Sequence, residues 1–219
     1  MPFAASSRQS EPPCAGWFVG AAGQALLDSE AGLLQDALRR SPAQATLWFA
    51  PEAVQRPINA DGRALLRLCW AEEGFAGDLR CGLPLPLPNE SCGLAIVQHT
   101  ADAAADPRAL LDECSRVLLP GGWLLLLALN PLSPYRMRWR GQGLRPGEPV
   151  TWSRRLRAVG LSPDPVSQGV GPTWAMSADP AVQDGAGLRA AFLVRAEKRR
   201  QPLTPLRAKR AVAWQPGTA

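Results

Sequence analysis

Residues 94–129 read LAIVQHTADAAADPRALLDECSRVLLPGGWLLLLAL, and this stretch decides the fold. Leu94-Ala95-Ile96-Val97 is an uninterrupted apolar run of strand length. Asp106-Pro107 then starts a helix. The aspartate can cap the free N–H groups of the first turn, and a proline at the first helical position forfeits no hydrogen bond. Leu110, Leu111, Cys114, Val117 and Leu118 recur at helical spacing, which predicts a helix from about Pro107 to Leu118, broken by Pro120-Gly121-Gly122. Trp123 to Leu129 is a second apolar run, as expected of a parallel strand covered on both faces. Strand, helix and strand make one βαβ unit, so the strands near Leu94–Gln98 and Trp123–Ala128 should be parallel, with a right-handed crossover.

Upstream, Gly23 to Arg40 reads as an amphipathic helix. Leu26, Leu27, Glu30, Leu33, Leu34 and Leu38 form its stripe, and Ser41-Pro42 ends it. Thr46 to Ala50 is a short buried strand stopped by Pro51, and Ala64 to Trp70 is a candidate for the next. Downstream, Trp152 to Val159 suggests a helix capped by Gly160, and Ala190 to Arg195 a final strand. Met1 to Pro13 is polar and proline-bearing. The expected organisation is an N-terminal arm over 1–22, one α/β domain over 23–197, and a flexible basic tail over 198–219.

The chain has 219 residues, 46% hydrophobic and 20% charged, which suits one sizeable core and excludes disorder throughout. The longest apolar run, Trp123 to Leu129, is far short of the ~20 residues a bilayer crossing needs. Met1 to Glu11 lacks the apolar core of a secretory signal. The five cysteines, Cys14, Cys69, Cys81, Cys92 and Cys114, include no C-x-x-C pair, and His99 is the one histidine. No metal site is expected, and the thiols read as reduced residues of a cytoplasmic protein. The net charge of +5 is unevenly spread. Residues 198–219 and residues 135–157 carry +6 each, leaving −7 on the rest. Arginine-biased codon usage and phosphate recognition both account for such segments.

Two quoted elements carry a family resemblance. Leu83-Pro-Leu-Pro-Leu-Pro-Asn-Glu-Ser-Cys-Gly-Leu-Ala-Ile-Val-Gln-His99 and Asp106-Pro-Arg-Ala-Leu-Leu-Asp-Glu-Cys-Ser-Arg-Val-Leu-Leu-Pro-Gly-Gly122 resemble the class I S-adenosylmethionine (SAM) dependent methyltransferases of the type 11 group. Leu127-Ala-Leu-Asn-Pro-Leu-Ser133 is similar to an element of a proteobacterial subgroup. The resemblance implies a Rossmann-like, doubly wound, mainly parallel sheet with SAM across the strand ends. It implies methyl transfer to an unidentified acceptor, a reaction of proximity and orientation that needs no nucleophilic triad or metal. The implied cofactor contacts are the turn Phe49-Ala50-Pro51-Glu52, the carboxylates Glu72 or Glu73 for the ribose, the segment Cys81-Gly82-Leu83, and the strand end Gln98-His99-Thr100.

The chain departs from that family where the cofactor binds. The first-strand turn contains no glycine and has a proline instead, so it should be differently shaped and hold SAM weakly. His99 is followed by Thr100-Ala101-Asp102 rather than the family's Leu-Glu-His. A catalytically silent, methyltransferase-like module, binding a partner through its basic segments, is the alternative reading.

Several residues carry two readings. His99 either shapes the pocket, with a pKa suited to proton transfer near neutrality, or is a hydrogen-bonded structural histidine. Glu72 and Glu73 are ribose ligands or solvated loop carboxylates. Asn130-Pro131 lines an acceptor cleft or simply turns; Asp106 is a helix cap. The run Tyr135-Arg-Met-Arg-Trp-Arg140 offers charge and stacking surface for nucleic acid, but no RNA-binding signature accompanies it, and a solvated mobile lid is favoured. Trp123 and Trp174 read as core or pocket-wall aromatics, and Asp184-Gly185 as a turn.

Overall fold

The two apolar runs of the central stretch pair as expected. β4 (Cys92–Gln98) and β5 (Leu118–Leu129) are parallel neighbours, in register from Leu94 opposite Trp123 to Gln98 opposite Leu127. These come from a computed structural model that describes residues 15–41, 44–54, 64–71 and 74–199. The helix joining the two strands, Pro107–Val117, is numbered α4 below. Asp106 caps it, accepting from the N–H groups of Arg108 and Ala109 at 3.0 and 3.2 Å. One boundary differs from expectation. β5 begins at Leu118, so Pro120-Gly121-Gly122 lies inside the strand rather than ending the helix. The register slips between Cys92 and Leu94, and Gly121, at φ +80°, supplies the left-handed residue such an irregularity favours.

Two helices come first among the described residues, α1 (Ala15–Val19) and α2 (Ala21–Arg40), so the expected arm is helical over 15–19 and 21–22. β1 (Ala45–Phe49) and β2 (Leu65–Ala71) follow and pair in parallel. β3 (Gly74–Gly77) returns antiparallel to β2 because only residues 72 and 73 separate them, too few for the crossover that parallel strands need. After β4 come a single turn, α3 (Thr100–Ala103), then α4 and β5. A 3-10 turn over Pro134–Arg138 and α5 (Pro149–Ala158) lead to β6 (Ser162–Pro163), β7 (Gln168–Val170), β8 (Gln183–Asp184) and β9 (Ala191–Glu197). Gly160, at φ +82°, ends α5 as predicted.

The sheet order is β3-β2-β1-β4-β5-β9-β7-β8, with β6 also on β9 and the centre β2-β1-β4-β5 parallel. Alternate side chains serve opposite faces. Leu47, Phe49, Val97, Leu124 and Leu126 meet α4 and α5 through Leu110, Leu111, Cys114, Trp152 and Leu156. Trp48, Leu94, Ile96, Leu125 and Leu127 meet α2 through Leu34. The expected doubly wound α/β architecture is therefore present.

Two aromatic expectations are corrected. The Tyr135–Arg140 run is not a solvated lid. Tyr135 is fully buried and donates its hydroxyl to the Ala22 carbonyl at 2.8 Å, and Trp139 is buried beside it, because both aromatic rings complete the packing of α1 and α2. Trp174 is neither core nor pocket wall: it is exposed, with the Arg138 guanidinium over its ring. Asn130 is a turn residue with a structural task, its amide donating to the Gly187 and Arg189 carbonyls at 3.0 and 2.9 Å. Cys92 and Cys114 are buried free thiols, whereas Cys69 and Cys81 are half-buried; Cys14 lies outside the described residues.

Candidate functional site

The carboxyl ends of β1, β2 and β4 converge on one crevice, the place where open α/β sheets bind ligands. After β1, Ala50 still bonds β2, its N–H donating to the Leu68 carbonyl. Pro51 then opens a turn closed by Val54 N–H to Pro51 O at 3.1 Å. Arg67 of β2 braces this turn, its guanidinium donating to the carbonyls of Pro51 and Glu52, both at 3.1 Å. A cation thus reads the turn's carbonyls where glycines would present N–H groups to a ligand.

At the end of β4, His99 adopts φ +52°, a left-handed conformation uncommon for a side chain of this size. The surroundings hold it there. Its N–H donates to Leu127 O at 2.9 Å, and its imidazole lies between two carboxylates. Nε2 is 2.9 Å from Glu30 of α2, and Nδ1 is 3.4 Å from Asp102 of α3. Glu30 also accepts from the Gln98 amide at 2.8 Å, and Asp102 from the Leu129 N–H at 2.8 Å. All three ionisable side chains are shut off from solvent. Burial alone would lower the His99 pKa, but the Glu30 charge and the hydrogen bonds the ring donates to Asp102 and Glu30 overcome it and push it up to about 9. Burial raises the Asp102 carboxyl, only partly offset by His99. The cluster therefore holds an imidazolium facing Glu30.

The roof is aromatic. Phe18 of α1 stacks on the His99 ring, centroids 5.2 Å apart. Trp70 at the end of β2 donates its indole N–H to Thr100 O at 3.0 Å and stacks on Phe75. Phe18, Pro51, Glu52, Trp70, His99, Thr100 and Ala103 enclose a cavity of about 20 Å³.

The structure thus brings together Pro51, Glu52, His99 and Thr100 of the expected contact set. Phe49 and Ala50 lie buried behind the turn, and Gln98 is bound to Glu30 below the crevice. Cys81 pairs with Phe75 through two backbone hydrogen bonds, and Cys81-Gly82-Leu83 does not line the cavity. Glu72 and Glu73 lie outside the described residues. Sequence reasoning missed Phe18, Trp70, Ala103 and the two carboxylates on His99. The signal for Glu30 was present: an acidic residue inside a leucine stripe.

A cavity of this size admits about one water, whereas small-molecule pockets run to ~300–1,000 Å³. SAM does not fit a cavity of this size.

Comparison with known proteins bears on the fold. Residues 63–126 match the type 11 methyltransferase domain family, a span that starts after the β1 turn and ends within β5. Over 51 residues the chain is 39% identical to the uncharacterized protein YafS of Escherichia coli (strain K12), covering 23% of this chain and 21% of that protein. The matched stretch is thus about a fifth of that relative's length. A SAM-dependent methyltransferase from Thermotoga maritima superposes with a TM-score of 0.56 at 19% identity, covering 84% of this chain and 94% of the other. One from Aquifex aeolicus gives 0.53 at 14% identity, covering 85% and 98%. The fold is that of the class I methyltransferases.

Proposed function

We propose that this chain is a SAM-dependent methyltransferase acting on an unidentified acceptor. One observation carries the reading: the segment matching the methyltransferase domain family builds β2, β4 and most of β5, and its strand ends form the crevice around His99 and Thr100. On this reading residues 23–197 form the catalytic domain. Pro51, Glu52, His99 and Thr100 contact the cofactor, and Glu72 or Glu73 holds the ribose. The Asn130-Pro131-Leu132-Ser133 element supports membership of the proteobacterial subgroup. The free thiols Cys69, Cys81, Cys92 and Cys114 support a cytoplasmic setting. Among the described residues no helix is long and apolar enough to cross a membrane.

Calorimetric titration of the full chain with SAM and with S-adenosylhomocysteine tests the reading. Weak but saturable binding is expected, because the β1 turn lacks glycine. Glu72→Ala and Glu73→Ala, made singly and together, should weaken it by the ~1.5–3 kcal/mol of a charged hydrogen bond. Unchanged affinity in all three variants rejects the ribose assignment.

A further inference from the structure

We propose that α1 is a removable plug, and that Phe18 must leave the His99 ring before SAM enters; this rests on the methyltransferase reading. Among the described lining residues Phe18 alone comes from α1, the others coming from the β1 turn, the end of β2, the end of β4 and α3. It is 3% exposed, and it fills the place above His99 and beside Pro51 where a ligand of this fold would lie. With its ring withdrawn, His99 and Thr100 would face open space.

α1 is seated by its two buried aromatics, Trp17 and Phe18, which pack with Leu26, Leu27, Tyr135 and Trp139, and by two side-chain hydrogen bonds. α1 is five residues long and joins α2 at Gly20. Trp17 donates its indole N–H to Arg138 O at 2.8 Å, and the Gln24 amide holds Phe18 O at 2.9 Å. Gly23, in the first turn of α2, allows α1 to fold back closely. A Cβ there would overlap the Trp17 carbonyl oxygen and lie 2.5 Å from Phe18 Cα, both backbone atoms that cannot yield without moving α1. The Glu30–His99–Asp102 cluster is anchored on α2 and the sheet, so it stays in place when α1 lifts.

Two substitutions unseat the plug by different routes. Phe18→Ala removes the ring. Gly23→Ala keeps every existing side chain, favours the α2 helix by propensity, and pushes α1 off its seat. The full-length protein and both variants are titrated with SAM by calorimetry, and hydrogen exchange of residues 15–24 is followed with and without SAM. Both variants should bind SAM at least tenfold more tightly than the parent, and saturating SAM should speed exchange at Gly20 and Gln24 in the parent. Equal or weaker binding by the variants, with exchange of 15–24 unchanged by bound SAM, overturns the plug and leaves the methyltransferase reading standing. Absence of SAM binding in all three chains, with faster exchange over 15–24 showing α1 freed in the variants, overturns both.

Discussion

His99 concentrates the chemistry of the site because two acids from different helices close on one ring. Glu30→Gln keeps the shape of the side chain and removes its charge. The imidazole would then sit in an apolar setting with only Asp102 beside it, so its pKa falls. Breaking a buried pair costs roughly 3–5 kcal/mol, and urea denaturation should register a loss on that scale. Because His99 is the only histidine, its imidazole resonances give the titration without assignment ambiguity. The folded pKa of about 9 lies above the unfolded value of about 6.5. The ion pair therefore contributes its full stability below about pH 6.5 and loses it as the pH climbs through about 9. The raised Asp102 carboxyl acts in the same direction. Denaturation midpoints should thus fall between about pH 6.5 and about 8, below the range in which the buried thiols Cys92 and Cys114, raised by burial, add a loss of the same sign. The fall over that window should shrink in Glu30→Gln; a flat parent profile would refute the assignment. Glu30 was visible as an anomaly in its stripe. Its partner lies 69 residues away, and no local pattern reports a contact at that separation.

Among the elements, α4 shows how one pair of charged side chains fixes a neighbouring segment. Arg116 and Glu113 stand three residues apart and clamp the segment before β4. Arg116 donates to Leu85 O at 3.0 Å, Leu87 O at 2.8 Å and Asn89 Oδ1 at 2.7 Å, while Glu113 accepts the Leu85 N–H at 2.8 Å. The ion pair between the two holds the Glu113 carboxyl below its usual range. Arg116→Ala strips these bonds from a partly buried site and should cost about 1–3 kcal/mol of unfolding free energy without touching the crevice. Asp106→Ala should cost about 1 kcal/mol through the lost cap. If Arg116→Ala proves neutral in chemical denaturation, the clamp is ornamental. The βαβ unit was legible because helix and strand periods differ and the cap and breakers punctuate them. The start of β5 was not, because Pro120-Gly121-Gly122 looks like a break until the pairing of Leu118 with Cys92 shows the strand running through it. The aromatics of α1 were equally hidden: a five-residue helix in a proline-bearing arm has no period to read.

Across the whole molecule the parallel centre was legible from apolar runs and the resemblance, while the closure of its crevice depends on distant parts meeting: α1, the end of β2 and α3. The C-terminal boundary is a similar case. Composition places it after Glu197, where acids cease and basic residues begin. Lys198 is nonetheless bonded into the sheet's lower rim. Its N–H donates to Gly122 O at 2.9 Å, its carbonyl accepts the Gly121 N–H at 2.7 Å, and its ammonium reaches Leu118 O at 2.7 Å with Glu90 at 3.7 Å. These contacts hold the glycines at the irregular start of β5, so two truncations should behave differently. A chain ending at Arg199 keeps all of them and drops the net charge from +5 to +1. Its thermal midpoint should stay within about 2 °C of the full chain. A chain ending at Glu197 loses three hydrogen bonds at about 1 kcal/mol each, partly replaced by water. For a domain of this size each kcal/mol moves the midpoint by about 2–4 °C, so a drop of roughly 4–8 °C is expected by calorimetry. Equal midpoints for the two truncations would return the boundary to Glu197. An equally large drop on ending at Arg199 would instead show that residues 200–219 stabilise the fold.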